Sequence, residues 1–418
     1  MNKELYWSAN DIAAAKKYLN EVVIELFGRT QRPVEERDDF LGKIFVVEKP
    51  DVANVVFQNH DLYVKNFGLV ASFGASRFTL NGATWAHFRE KSQKHLAKAG
   101  RPAMIPEISK VYGEEIGFHD TLEIAELERS IGRAALRVFL KAFGIDIDVT
   151  PFLDIFQKLR AASAMLQYTS WSGTNTAKQD PDMIVLLARQ MCFDFWAICQ
   201  QFPELEVLIR SMSDGRTDQD LEDSVSDFMT NMFAGIETTT ASLGWMIDCL
   251  SKGPEVQEKL RQDVLAAEGK TPDSVKVFRD EVMRFFPPIP FVVRELAEDA
   301  TLGGQDLNKG DVVVVSIVAL HRDPDTWSDP NAFHAARSEF VEGSPAVTRA
   351  FKPFLTGPRM CGGRRLATLE IDEALRILLT RYKFANSAKD TAFQYALAFC
   401  PLLNNSLQIR AISDASAD

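Results

Sequence analysis

The sequence predicts a mainly α-helical protein with a minor β region, on three observations. Apolar residues recur at helical spacing through most of residues 105 to 270. β-branched runs separated by turn residues are confined to short stretches, about 40 to 60 and 295 to 320. Near the C-terminal end a glycine-punctuated loop delivers one cysteine, Cys361, to the start of a further helical run, 364 to 381.

Taken in order, residues 9 to 28 read as a helix with Asn10 or Asp11 near its start, 43 to 47 as β-like, and 50 to 59 as a short helix. Residues 66 to 82, rich in Gly, Ser and Phe, read as a loop, and 85 to 98 as a basic amphipathic helix. The helical pattern breaks at 173 to 176 and at Gln201-Phe-Pro. Residues 218 to 252 read as one very long helix, and 274 to 286 as another that Pro287-Pro288 ends. Turn signals then alternate with Val-rich runs to residue 320, and 321 to 358 form a long irregular segment of the kind usually pinned by function. No repeat or low-complexity linker divides the chain, so a single domain over 1–418 is expected, with a frayed tail at 413–418.

Composition narrows the function classes. A net charge of −11 argues against a general nucleic-acid binder. Five widely spaced cysteines with no CxxC pair argue against a zinc site or disulfide framework and fit a reducing compartment. No run approaches the ~20 apolar residues that span a bilayer, and the N-terminus has no signal core. A cytoplasmic protein without a membrane anchor is expected, acting as a monomer.

Four constellations carry chemistry. The first is Phe354-Leu-Thr-Gly357-Pro-Arg359-Met-Cys361-Gly-Gly363. A thiolate here lies near the positive end of a helix dipole, which should lower its pKa. Gly357 and Gly363 allow tight turning and close approach to a flat ligand, and Arg359 supplies a cation. Such a loop suits a haem iron with a carboxylate-bearing porphyrin. The second is Ala234-Gly235-Ile-Glu237-Thr238-Thr239 in the long helix, where poor helix formers adjoin an acid and an alcohol. A weakened turn there can hold water or oxygen and relay protons. The third is Glu281 and Arg284, which share a helix face at i, i+3 and can be joined by Arg337 in a buried ion network. The fourth is a set of cations for carboxylates: Arg89, four residues from Trp85, with Arg294 and Arg359. His87, His95, His321 and His334 show no paired ligand spacing and read as ordinary histidines.

In this order along residues 80 to 370, the motifs resemble those of the cytochrome P450 family of haem-thiolate monooxygenases. The resemblance implies the fold of that family, with haem b between the long helix and the cysteine loop and O2 as co-substrate. It implies Cys361 as axial ligand, with Thr238 guiding O–O cleavage and Glu237 as the matching acid. Ala234, Gly235, Phe354, Gly357 and Gly363 would adjoin the cofactor. Glu281, Arg284 and Arg337 would hold the proximal core, and Trp85, Arg89, Arg294 and Arg359 would meet the propionates. Two positions depart from the family pattern: Leu355 stands where glycine is frequent, and Gly362 where an apolar residue is usual.

The resemblance further implies hydroxylation or epoxidation of an apolar small molecule, terpenoid or steroid-like or otherwise polycyclic. Pocket candidates are Phe67, Phe73, Phe78, Phe233, Ile289, Phe291, Val292 and Leu402. Electrons would come from a ferredoxin- or flavodoxin-type donor with its reductase, since no dinucleotide fingerprint appears. Lys91, Lys94, Lys98, Lys352, Arg364 and Arg365 form a candidate basic docking face for that donor. Two other readings stay open: a peroxide-using or isomerising haem-thiolate enzyme, and a non-catalytic haem or lipophile binder.

Overall fold

Helix Asp218–Lys252 is the axis of the fold, 35 residues and about 52 Å at 1.5 Å per residue. Thr217 and Asp220 start it with a reciprocal capping box. Asp218 and Asp220 complement the dipole at its start, and Lys252 at its end. Its apolar side, including Phe228, Met229, Met232, Leu243 and Met246, is fully buried. Ile124–Ala142, Pro181–Cys199, Asp273–Phe285 and Arg364–Arg381 pack around it. The structure, a computed structural model, describes residues 9–27, 34–39, 42–65, 74–117, 122–172, 181–404 and 406–412.

The expected mainly α architecture with small sheets is what forms. One five-stranded sheet runs in the order Val34–Asp39, Gly42–Val47, Val312–Ser316, Phe291–Leu296, Tyr63–Val64. Gly42–Val47 and Val312–Ser316 pair in parallel and the other pairs are antiparallel. Val313, Val314 and Val315 are all buried, which is why that strand reads as a continuous Val run rather than an alternation. The register Arg294↔Val313 seats Arg294 in an interior strand of the sheet.

Three expectations change. The β structure extends beyond the two predicted stretches. Tyr382–Asn386 pairs with Leu407–Ala411, and Phe393–Tyr395 with Phe399–Pro401. The latter pair has three-residue strands, too short for an alternation to register. Strand Val34–Asp39 was also not foreseen, because Val-Glu-Glu-Arg-Asp-Asp carries no apolar alternation. The third change concerns the long helix, which runs unbroken through Ala234–Thr240. Thr238 Oγ1 donates to Ala234 O at 2.9 Å and Thr240 Oγ1 to Ile236 O at 2.9 Å, so the hydroxyls bond back without interrupting the helix. The tail at 413–418 and the break at 173–176 lie outside the described residues.

Candidate active site

The cysteine loop is built from its own backbone. Cys361 N–H donates to Phe354 O at 2.9 Å, Met360 N–H to Gly357 O at 3.1 Å, and Leu355 N–H to Lys352 O at 3.1 Å. Gly357 has φ +71°, and a Cβ there would stand 2.4 Å from Phe57 O. The glycine therefore serves close packing of the loop on helix Pro50–Gln58 rather than approach to a ligand. Gly363 does line the cavity, with φ −87° at the start of helix Arg364–Arg381. Leu355, where the family pattern often has glycine, takes φ +59°, a left-handed conformation costing a side-chain-bearing residue about 1–2 kcal/mol.

A buried ion network anchors this loop from behind. Glu281 accepts from Arg284 Nε (2.6 Å) and Nη2 (2.9 Å) and from Arg337 Nε (2.8 Å). The two guanidiniums also donate to His321 O, Pro330 O, Ala332 O and Ser328 O, and Trp327 stacks beside both. His321 extends the network to the loop. Its Nε2 accepts the Lys352 N–H at 2.9 Å, so the proton sits on Nδ1, 3.2 Å from Arg284 O. Burial, with the Arg284 charge beside it, pushes His321 down to about 3, and the ring is neutral. That is a positioning role, not a metal-ligating one.

Between loop and long helix lies a cavity of about 390 Å³. Cys361 and Gly363 line one wall, and Ala234, Gly235, Thr238 and Thr239 line another. Cys361 is open to this cavity while lying deep among protein atoms. The expected lowering of its pKa does not prevail: burial pushes the thiol up, against the N–H of Gly363 and the Arg77 charge, which pull it down. A bound cation would supply the missing stabilisation, since a metal deprotonates a ligating thiol outright.

The cations converge as expected. Arg89 and Arg359 lie over the Trp85 ring at 5.4 and 3.9 Å, and all three line the cavity with Arg294. Arg294 is 3% exposed, its Nη1 donates to the neighbouring Val293 O, and no carboxylate pairs with it among the described residues. Burial, then repulsion from Arg359, pushes it down to about 10; burial likewise holds Arg359 at about 10. A buried arginine that lacks an anion calls for one. A group carrying carboxylates and an iron for Cys361 therefore fits the residues present.

Phe78, Phe233, Ile289, Phe291 and Val292 line the same cavity, as does Phe354. Leu402 does not. It is 40% exposed beyond strand Phe399–Pro401, and Tyr395 and Leu397 supply that wall instead. Phe67 and Phe73 lie outside the described residues. Glu237 also stays out of the cavity lining. It is buried and held by Arg160, which donates Nε–H at 2.9 Å and Nη2–H at 2.6 Å.

Several site residues escaped the sequence reading. Arg160 was detectable only as a rule that a buried Glu237 must have a partner, which the chain supplies 77 residues upstream. Arg77 and Lys65 line the cavity from loop segments that have no periodic signal. Glu370, one helical turn beyond Leu366, faces the cavity and accepts Tyr112 O–H at 2.9 Å. Among the described residues no helix is long and apolar enough to cross a membrane, and no cluster of three or more His, Cys, Asp or Glu could hold a metal.

A cytochrome P450 family model matches residues 200–395. Cytochrome P450 4X1 of Rattus norvegicus is 34% identical over 180 residues, 40% of this chain and 35% of the relative. Probable cytochrome P450 4s3 of Drosophila melanogaster is 32% identical over 186 residues (43% and 37%). Cytochrome P450 4A6 of Oryctolagus cuniculus is 32% identical over 197 residues (44% and 38%). These matches thus span little more than a third of the relatives' own length. Among solved structures, the heme domain of a cytochrome P450DA mutant superposes with a TM-score of 0.73 over 95% of both chains, at 20% identity.

Proposed function

We propose that this chain, which matches a cytochrome P450 family model over residues 200–395 and shares the fold of a P450 heme domain, is a haem-thiolate monooxygenase acting on an apolar small molecule. The observation that carries this reading is the pairing of Cys361, open to one wall of the cavity, with Thr238 on the facing helix and buried Arg294 at the edge. Haem b, when bound, would supply the oxygen chemistry: one atom of O2 goes into a C–H or C=C bond and the other leaves as water, with two electrons and two protons added.

The chain's own residues do the rest. Cys361 would hold the iron, and Arg294, Arg359 and Arg89 would hold the propionates, with Trp85 fixing two of those arginines face-on. Ala234 and Gly235 line the cavity on the long helix, where they would adjoin the cofactor. Thr238 lines the cavity with its hydroxyl bonded to Ala234 O, and by releasing that bond it could hand a proton across the cavity. Glu237 is the acid behind it. Arg160 holds both of its carboxylate oxygens, and the Arg160 side chain is 40% exposed. Phe78, Phe233, Ile289, Phe291 and Val292 exclude water and hold a terpenoid, steroid-like or other polycyclic substrate.

Electrons come from a separate ferredoxin- or flavodoxin-type protein in a cytoplasmic setting, where the five thiols stay free. Lys94, Lys98, Arg364 and Arg365 support that docking: all four are exposed, and a Cβ at Gly100 would touch Arg365 Cβ, so the two helices share one basic face. Lys91 drops out of the face because Asp214 pairs with it, and Lys352 because its ammonium bonds Thr348 O.

The test is the reduced protein with carbon monoxide, followed by substrate-dependent NADH consumption with a surrogate redox chain. A strongly red-shifted Soret band that Cys361→Ala abolishes, with donor-dependent turnover that Thr238→Ala uncouples, is expected. A histidine-type band overturns the assignment. Peroxide-driven turnover that survives Thr238→Ala, without donor-dependent turnover, replaces it with a peroxide-using enzyme.

A further inference from the structure

Glycine follows the cysteine, and the structure shows what its missing side chain admits. A Cβ at Gly362 would lie 2.3 Å from Arg77 Nη2 and 2.7 Å from Gln93 Oε1. Real Cβ atoms do not come this close, so these side chains fill the space that an ordinary residue would take. Gln93 Nε2 donates to Gly362 O at 3.3 Å, while its buried Oε1 has no hydrogen-bond partner among the described residues.

Arg77 is placed there by a built support. It sits in a turn in which Ser76 N–H donates to Thr79 Oγ1 and Phe78 N–H to Ser76 Oγ. Its own N–H donates to Asp227 Oδ1 of the long helix at 2.7 Å, and its Nη1 to Ser92 Oγ at 2.9 Å. Gly74, at φ +101°, lets the turn pack on the long helix where a Cβ would stand 3.0 Å from Ser226 Oγ. The long helix thus fixes the backbone of the turn, and Ser92 bonds the guanidinium itself. The guanidinium is attracted by Asp227 and Cys361 and repelled by Arg89, yet it forms no ion pair with a described carboxylate.

We propose that Arg77, admitted by Gly362 and flanked by Gln93, is a positioning residue that offsets the thiolate charge and raises the reduction potential of the iron held by Cys361. The inference rests on the haem-thiolate reading above. Its physics is simple. Reduction adds one electron to the iron–thiolate unit, and a fixed positive charge beside it favours the more negative, ferrous member. The second shell thus sets donor strength without touching the metal. An apolar residue after the cysteine would fill the notch and exclude the cation.

The measurement is the one-electron midpoint potential of the haem-loaded protein, by spectroelectrochemistry, for wild type, Arg77→Met, Arg77→Lys and Gly362→Ala. Arg77→Met should shift the ferric/ferrous equilibrium about tenfold toward ferric, about 59 mV for one electron. Arg77→Lys should retain most of the wild-type value because the charge stays. Gly362→Ala, which evicts the guanidinium without removing it, should move the potential in the direction of Arg77→Met. If Arg77→Met does not keep its haem, Arg77→Gln makes the same charge change and carries the same expectation. A neutral variant within twofold of wild type, with its red-shifted carbon monoxide band intact, overturns the proposal. A wild-type protein without that band overturns cysteine ligation itself, and the two failures are told apart by the one spectrum.

Discussion

Replacing Glu281 by glutamine is the sharpest test of what holds the cysteine loop in place. Glu281 and Arg284 are completely buried and Arg337 is 2% exposed. The carboxylate accepts four bonds: two from Arg284, one from Arg337, and one from the His334 N–H at 2.8 Å. A carboxamide keeps one oxygen, hence about half of these, and turns its N–H groups toward a guanidinium that can only donate. Arg284 then remains in the interior with no anion, and Arg337 keeps only Glu339 at 3.4 Å. Breaking a buried pair in this way typically costs about 3–5 kcal/mol. The carbonyls of His321, Pro330, Ala332 and Ser328 still solvate the guanidiniums, which places the expected loss at about 3 kcal/mol. Urea unfolding followed by far-UV circular dichroism reads it as a lower midpoint at unchanged slope. The loss should also persist from low to high salt, because mobile ions do not reach the site. A loss under about 1 kcal/mol, the value of a solvent-exposed pair, or one that salt erases, would refute the reasoning.

Two further outcomes follow from the geometry. Burial pushes Glu370 from an ordinary 4.5 up to about 8, against the Tyr112 hydrogen bond that pulls it down. With the folded pKa raised, its contribution is fully present below about pH 4.5 and is lost as pH rises through about 8, at no more than about 1.4 kcal/mol per unit. Glu370→Gln should flatten that fall, measured as unfolding free energy against pH, and parallel curves for the two proteins would refute it. Gly357→Ala should destabilise by about 2–3 kcal/mol, because φ +71° and a contact of 2.4 Å to Phe57 O combine conformational strain with a backbone clash. Gly363→Ala, with φ −87° and Cys361 Sγ as nearest atom at 4.0 Å, should cost far less in the same unfolding assay; equal losses would contradict this account.

What could be read from the sequence is what is encoded locally. Helix spacing, the Pro287-Pro288 stop, the Glu281/Arg284 face and the cysteine loop are patterns within a dozen residues, and the structure places them as read. What could not be read is set by distance and burial. The helix dipole at Cys361 is a local feature, but the desolvation that outweighs it belongs to the assembled interior. Glu237 looks like a free acid until Thr150–Ser172 brings Arg160 onto it. Leu402 follows a strand too short to announce which side faces out. Gly362 shows the same limit most plainly. In the sequence it is a departure with no meaning, because the residues that need its hydrogen atom, Arg77 and Gln93, arrive from a turn and a helix far upstream. Unlike Leu355, whose departure brings a strained backbone, Gly362 is matched by a side chain that fits the space it leaves. A position that breaks a family pattern and is filled by a supported charge is better read as tuning than as drift, and the potential of Arg77→Met decides which.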